Sequence, residues 1–289
     1  MIRTFRTIFL VLGIVLLIPT CLSLFVSLNN SKPILSTIDI SSEEYTPEIA
    51  SINTLDEFES RIRLEIDTKG LSGIEIPILV DDYVRNKFYN EYSYIPWYDN
   101  WTLSLINKVF PSLYLTGHMK PKELIRFDYG ICNQQAIVFQ AIMKDLGFDY
   151  GSVRFSSPDF AHFTSAAKVN DKWYFFDPNL EPEYDRADPA IFDLITSGDK
   201  EFLTRMYGDH FNNISSEMIQ LGDINNFPAS RGVLAQDMSF FLSWYGWMLF
   251  LALSLAFLLH GRRSSRRTTK EPSLSVDRET PPVAPPTDT

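Results

Sequence analysis

Cysteine is almost absent from this sequence of 289 residues, which contains only Cys21 and Cys132. Small proteins held together by disulfide bonds need several paired cysteines, so this class is excluded. Residues 30–238 contain Cys132 and no other thiol, and this part of the chain therefore has no internal disulfide bond. A lone cysteine is more often a small buried apolar residue than a nucleophile, so its neighbours must decide its role.

The central part of the sequence also has little positive charge. Residues 30–238 contain 18 Lys and Arg against 32 Asp and Glu, whereas the two ends together contain 8 against 4. An acidic domain repels polyanions, so nucleic acid is not expected as a partner. The basic residues that follow residue 260 are instead suited to anionic lipid headgroups.

Charge is missing altogether from two stretches, residues 7–28 and 238–259. About 20 apolar residues cross a bilayer, so each stretch is long enough to do so. The first stretch follows Arg3 and Arg6 and could be a signal peptide, but its apolar run exceeds the usual core of about 7–15 residues and no small-x-small cleavage site follows. We therefore predict transmembrane helices over residues 7–29 and 239–260.

Basic residues flank the outer side of both predicted spans. Two precede the first span, and five follow the second, namely Arg262, Arg263, Arg266, Arg267 and Lys270. The positive-inside rule then places residues 1–6 and 261–289 in the cytoplasm and residues 30–238 on the other side. We expect an integral protein of a bacterial inner membrane with an extracytoplasmic domain and a disordered tail after residue 270.

Helical periodicity dominates the first half of this domain, and strands follow. Helices are predicted over residues 55–69, 78–92 and 97–110. The most apolar helix, over residues 132–146, has little polar face and is expected to be a buried central helix that ends at Gly147. Strands are predicted over residues 151–155, 161–169 and 172–177.

A two-residue turn at residues 170–171 joins the last two strands and fixes their register. It pairs Thr164 with Asp177 and places His162 diagonal to Asp177 on the same face, with about 7–8 Å between their Cα atoms. An imidazole and a carboxylate can bridge that separation. The rest of this face forms a largely apolar floor of Thr164, Ala166, Trp173 and Phe175.

Cys132 starts the predicted central helix, where unpaired amide groups and the helix dipole favour a thiolate. His162 could act as its base, and Asp177 could orient that base, which together are the parts of a cysteine nucleophile. Each residue alone has a more ordinary explanation in packing or at the surface. Their combination favours a catalytic type of site.

Residues 129–136, Tyr-Gly-Ile-Cys-Asn-Gln-Gln-Ala, resemble the nucleophile segment of the transglutaminase-like superfamily. The other motifs follow in the order of that family: the helix-ending Gly147, His162 at the start of a strand, and residues 173–178, Trp-Tyr-Phe-Phe-Asp-Pro, which match W-x-x-x-D-P. The interval of 15 residues from His162 to Asp177 also agrees. The resemblance covers about residues 75–182, and the ordered set of motifs is more specific than any one of them.

The resemblance implies an α+β, papain-like core in which a central helix with an N-terminal cysteine packs against a small antiparallel sheet. It implies that Cys132 is the nucleophile, His162 the general base and then acid, and Asp177 the residue that fixes the imidazole tautomer. Such a site forms a thioester from an amide or peptide, and water or an amine then resolves it. No metal or organic cofactor is implied, and the expected substrate is a protein or peptide-bearing polymer of the cell envelope.

Two positions depart from the pattern of the family. Many members have an aromatic residue two positions after the histidine and a glutamate four positions after it, where this sequence has Thr164 and Ala166. A non-catalytic binding or assembly module of a membrane or envelope-polysaccharide machine is therefore a second interpretation. The intact set of Cys132, His162 and Asp177 favours the enzyme.

Overall fold

The computed structural model describes residues 2–29, 43–157, 161–211 and 213–268. The chain forms two compact units, one from Met1–Cys21 with Trp244–Thr289 and one from Leu22–Ser243. The tail predicted after residue 270 lies outside the described residues.

Ten α-helices and four strands are assigned in the described part of the chain. The helices are α1 (Ile2–Asn29), α2 (Pro47–Ala50), α3 (Leu55–Lys69), α4 (Glu75–Lys87), α5 (Trp101–Val109), α6 (Pro121–Leu124), α7 (Cys132–Asp145), α8 (Ala190–Ser197), α9 (Lys200–Tyr207) and α10 (Ser230–Thr268). The strands are β1 (Asp149–Ser156), β2 (Ala161–Val169), β3 (Lys172–Phe176) and β4 (Ile219–Leu221). Single 3-10 turns cover Pro111–Leu113, Gly208–Phe211 and Ser216–Met218.

Helices α1 and α10 contain the two apolar stretches, and both are long and apolar enough to cross a membrane, over Thr4–Asn29 and Ser230–Gly261. Within the smaller unit they pack through aromatic rings, with the Phe9 and Phe257 centroids 5.6 Å apart. Helix α10 is longer than the predicted span and already begins at Ser230. Two helices of this length and composition indicate association with a membrane.

The larger unit is built on an antiparallel sheet in the order β3-β2-β1-β4. Helix α7 packs against one face of the sheet, and α4 packs on α7. We call this the α7 face, and its core includes Val138, Phe139, Ile142, Tyr150, Ala167 and Phe176. Because side chains on a strand alternate between faces, the other residues of β1 to β3 point to the opposite side.

Helices α8 and α9 and the turn at Gly208–Phe211 form a second core on the opposite side, which we call the α9 face. Its buried residues are Val153, Phe155, Ala166, Phe175, Ile191, Ile195, Phe202, Leu203, Phe211 and Ile214. Neither short helix was predicted from the sequence, and nor was β4, which adds three residues to the edge of β1. The sheet is therefore covered on both faces.

Several predicted elements are confirmed at their ends. Helix α3 spans residues 55–69, and Gly70 ends it in a left-handed conformation with φ 65°. The register of the β2–β3 hairpin is confirmed, since Val169 pairs with Lys172. Both turn residues, Asn170 and Asp171, have positive φ, as a two-residue hairpin turn requires.

Two predicted helices have different limits. The helix predicted over residues 78–92 spans Glu75–Lys87, because Phe88 is extended and the next residue, Tyr89, bridges to Tyr129. The helix predicted over residues 97–110 begins only at Trp101. Asn100 caps its start by accepting a hydrogen bond from the amide of Leu103, and residues 96–99 form a turn.

Candidate functional site

Cys132 is the first residue of α7, and its thiol is free and partly exposed. The side chain of Gln134 holds the loop before it, because its Oε1 accepts hydrogen bonds from the amides of Ile131 at 3.2 Å and Ser93 at 3.1 Å. The neighbouring Gln135 donates to the carbonyl of Gly130 at 2.8 Å. The thiol thus lies at a fixed helix N-terminus, where the helix dipole favours negative charge.

His162 lies near the start of β2, and Asp177 directly follows β3. Their side chains are 3% and 0% exposed, and Nε2 of His162 is 2.7 Å from Oδ2 of Asp177. The hairpin register therefore brings these two residues together as the sequence indicated. Cys132 is in hydrogen-bonding contact with the same imidazole, so all three residues named from the sequence lie at one place.

Charge and hydrogen bonding shift the protonation of this pair. Burial alone would lower the pKa of His162, but the charge of Asp177, the hydrogen bond to it and the contact with Cys132 outweigh burial and raise this pKa to about 10. Burial would raise the pKa of Asp177, but the imidazolium and several hydrogen bonds hold it below its usual value. The favoured state is thus an imidazolium paired with a carboxylate.

Tyr207 is a further site residue that the sequence did not indicate. Its hydroxyl donates to Oδ2 of Asp177 at 2.9 Å, and its ring stacks on Phe211 with centroids 4.2 Å apart. The amides of Asn179 and Leu180 donate to the other carboxylate oxygen at 3.3 Å. Tyr207 ends a helix of only eight residues, far from the recognised motifs in sequence, so no local pattern marked it.

A buried ionic network supports the main chain at Asp177. Arg85 donates from Nη2 to the carbonyl of Asp177 at 3.2 Å and from Nε to Asp81 at 2.8 Å. Arg186 reaches the same carboxylate oxygen of Asp81 at 2.7 Å. In the sequence, Asp81 and Arg85 resemble an ordinary surface pair at helical spacing, and only the fold reveals that they are buried.

The two positions that depart from the family pattern hold the hairpin. The Thr164 hydroxyl donates to the carbonyl of Phe176, and Ala166 is buried opposite Phe175. The predicted apolar floor is present, with Thr164, Ala166 and Phe175 buried and Trp173 partly buried. His162 also has aromatic neighbours, including Phe155 with its ring centroid 5.9 Å away.

In the described part of the chain, no cluster of three or more His, Cys, Asp and Glu side chains could hold a metal ion. His118 lies beside Glu123 and the ring of Phe127. The contact of a helix-terminal thiol with a paired imidazole is suited to nucleophilic and acid–base chemistry.

Fold and site together define an α+β protein in which a helix with an N-terminal cysteine packs on an antiparallel sheet that carries a histidine–aspartate pair. A family model described as a transglutaminase-like domain matches residues 63–185. The match supports a transglutaminase-like domain in this part of the chain, the family that its motifs resemble. No curated protein and no solved structure matches the chain.

Proposed function

We propose that this protein is a membrane-tethered cysteine enzyme that cleaves amide or peptide bonds through a thioester. The observation that supports this most directly is the contact of a helix-terminal Cys132 with His162, which is itself hydrogen-bonded to Asp177. The match of residues 63–185 to a transglutaminase-like domain supports the same reaction class.

In the first half of the reaction, the Sγ of Cys132 attacks the carbonyl carbon of the amide. The hydrogen bond from Nε2 of His162 to Asp177 leaves Nδ1 for the thiol. In the resting pair this nitrogen already holds the thiol proton, so the attacking group is a thiolate, and Nδ1 passes this proton to the leaving nitrogen as the C–N bond breaks. The products are a free amine and an acyl group bound to Cys132 as a thioester.

In the second half, His162 takes a proton from water or from an amine, which attacks the thioester carbonyl. The C–S bond breaks, and the thiolate regains its proton from His162. Water gives a carboxylic acid, and an amine gives a new amide. Asp177 holds the imidazole in one orientation throughout, and Tyr207 and Arg85 position Asp177.

The two apolar helices support a substrate at a membrane, and we propose a protein or peptide-bearing polymer of the cell envelope. In this proposal residues 30–238 form the extracytoplasmic domain and both termini are cytoplasmic. Reporter fusions at each terminus test the orientation, because an external C-terminus would contradict it.

The test of the site is the rate at which Cys132 is alkylated as a function of pH. The full chain in detergent carries Cys21→Ser, so that Cys132 is the only thiol. We expect rapid alkylation at neutral pH, and we expect His162→Ala to slow it. His118→Ala is the matched control, since His118 contacts Glu123 and Phe127.

Slow alkylation at neutral pH that does not depend on His162 would overturn the enzyme proposal. That result would favour the second candidate, a non-catalytic binding or assembly module that keeps the fold. The observation that favours this second candidate is the presence of Thr164 and Ala166, which replace residues found in many members of the family.

A further inference from the structure

Residues 94–114 carry an unusual density of exposed apolar side chains. Eleven large apolar residues are exposed among the described residues of 43–229, and seven of them lie in this segment. They are Tyr94, Trp97, Leu105, Val109, Phe110, Leu113 and Tyr114, with exposures from 47% to 75%. We call this segment, residues 94–114, the apolar ledge.

Charge is nearly absent from the apolar ledge, although it belongs to an acidic domain. Its 21 residues contain only Asp99 and Lys108 as charged side chains. A soluble surface normally intersperses charges among its apolar residues, and a larger apolar patch marks an interaction site. The partner of this surface therefore has an apolar character.

Hydrogen bonds fasten the apolar ledge to the first turns of α10. The buried side chain of Asn100 donates to Ser239 Oγ at 2.9 Å and accepts from Ser243 Oγ at 2.9 Å. The indole of Trp101 donates to the carbonyl of Ser243 at 3.0 Å. Just beyond the other end of the ledge, Gln236 donates to the carbonyls of Leu115 and Gly117. The ledge is thus tied to residues 236–243 through Asn100 and Trp101 within it and through the residues that follow it.

The length of α10 shows where these attachments lie along a membrane span. The apolar run ends at Leu259, shortly before the cations that begin at Arg262. A hydrocarbon core of about 30 Å takes about 20 helical residues, at a rise of about 1.5 Å each. Counting back from Leu259, the opposite boundary of the hydrocarbon falls near residue 240, level with the serines that hold Asn100. Trp244, Tyr245 and Trp247 follow at once, as interfacial aromatic residues do.

We propose that the apolar ledge inserts into the lipid interface of the membrane that α10 crosses. The ledge is attached where the hydrocarbon begins, is rich in aromatic and aliphatic side chains, and carries one cation, Lys108, whose long side chain can reach the headgroups. The apolar ledge is then a contact with the bilayer in addition to α1 and α10.

The test labels single cysteines with an environment-sensitive fluorophore in the full chain, reconstituted at one copy per lipid nanodisc. Cys21→Ser and Cys132→Ser remove the native thiols. Labels are placed at Leu105→Cys, Val109→Cys and Leu113→Cys. The matched control is Leu64→Cys on α3, which is 65% exposed and lies outside the ledge. All four positions are exposed, so the substitutions leave the core intact.

We expect blue-shifted emission at the three ledge positions, with quenching by nitroxide-labelled lipid several-fold stronger than at residue 64. Iodide added to the water should quench residue 64 more strongly. Equal quenching at all four positions would overturn the proposal. Blue-shifted emission without quenching by lipid would also overturn it, because the cover would then be protein. Neither result depends on the reactivity of Cys132, so the ledge and the enzyme proposal fail separately.

Discussion

The two faces of the sheet contribute different parts of the site. The α7 face provides Cys132 from the end of a long apolar helix, and its internal polar contact is neutral, with Gln140 bonded to Ser165 at 2.9 Å. The α9 face carries the buried pair of His162 and Asp177 among aromatic rings. The nucleophile therefore comes from the end of a regular helix, whereas its base is half of a charged pair among aromatic rings that two short helices must cover.

The family model covers the elements of the two faces unequally, and this sharpens the contrast between them. Helix α7 lies inside the matched residues 63–185, while α8 and α9 lie after them. The residue that hydrogen-bonds Asp177 from the α9 face, Tyr207, is thus outside the match. The match includes Cys132, His162 and Asp177 but not Tyr207 or Phe211, whose rings lie beside the imidazole.

The largest expected effect comes from truncating one phenylalanine on each face. Phe139 packs on Phe176 on the α7 face, and Phe211 stacks on Tyr207 on the α9 face. Both are buried, so Phe139→Ala and Phe211→Ala should each lower the free energy of unfolding by about 3–5 kcal/mol in thermal melts. A minor loss for Phe211→Ala would show that the α9 face is not part of the stable core.

The milder variants Phe139→Leu and Phe211→Leu keep the protein folded for measurements of Cys132 alkylation. The Phe211 ring centroid is 6.2 Å from that of His162, so only Phe211→Leu should change the pH profile of alkylation. Equal changes in both variants would remove the distinction between the two faces.

The second expected effect is the pH dependence of stability that His162 contributes on the α9 face. The pKa of His162 is about 10 in the folded chain against an ordinary 6.5, so folding stabilises its protonated form. This contribution is fully present below pH 6.5 and is lost as the pH rises through about 10. The melting temperature of the wild type should therefore fall relative to that of His162→Gln across this range.

The difference in melting temperature between the wild type and His162→Gln cancels the pH dependence of groups that both proteins contain. One such group is Lys87, whose pKa is lowered by burial to about 8. Gln140→Met, on the neutral α7 face, is the matched control and should keep the pH slope of the wild type. If the melting temperature of His162→Gln falls with rising pH as steeply as that of the wild type, the effect belongs to other residues.

The smallest effect is expected from removing one hydroxyl on the α9 face. Tyr207→Phe loses a hydrogen bond to a buried carboxylate, which costs about 1.5–3 kcal/mol, whereas Tyr184→Phe loses one to the carbonyl of Phe175, which costs about 0.5–1.5 kcal/mol. The pKa of Asp177 is lower in the folded chain than its ordinary value of 3.8, so the ionised carboxylate stabilises the fold above pH 3.8. This stabilisation is lost as the pH falls through the lower pKa of the folded state.

Because Tyr207→Phe raises the pKa of Asp177, Cys132 alkylation should fail at a higher pH on the acid side than in the wild type. Tyr184→Phe should leave this acid limit unchanged. An unchanged limit in Tyr207→Phe would mean that Tyr207 contributes to packing alone.

The sequence predicted those features that depend on local periodicity. The β2–β3 register followed from a two-residue turn, and this was enough to pair His162 with Asp177. The approach of Cys132 to His162 depends on how α7 packs, which no spacing specifies, and only the family resemblance implied it. Tyr207 and Arg85 are 30 and 92 residues away from Asp177 in the chain, and both hydrogen-bond to it. Their partners could not be inferred before the fold was known.

The turn at Asn170 and Asp171 has a consequence for how relatives of this protein can diverge. Because side chains alternate along a strand, deleting or inserting one residue between His162 and Asp177 would send the carboxylate to the α7 face. Natural selection should therefore preserve the number of residues in this interval more strictly than their identities. Among related sequences, hairpins of altered length should change by pairs of residues or should have lost the site.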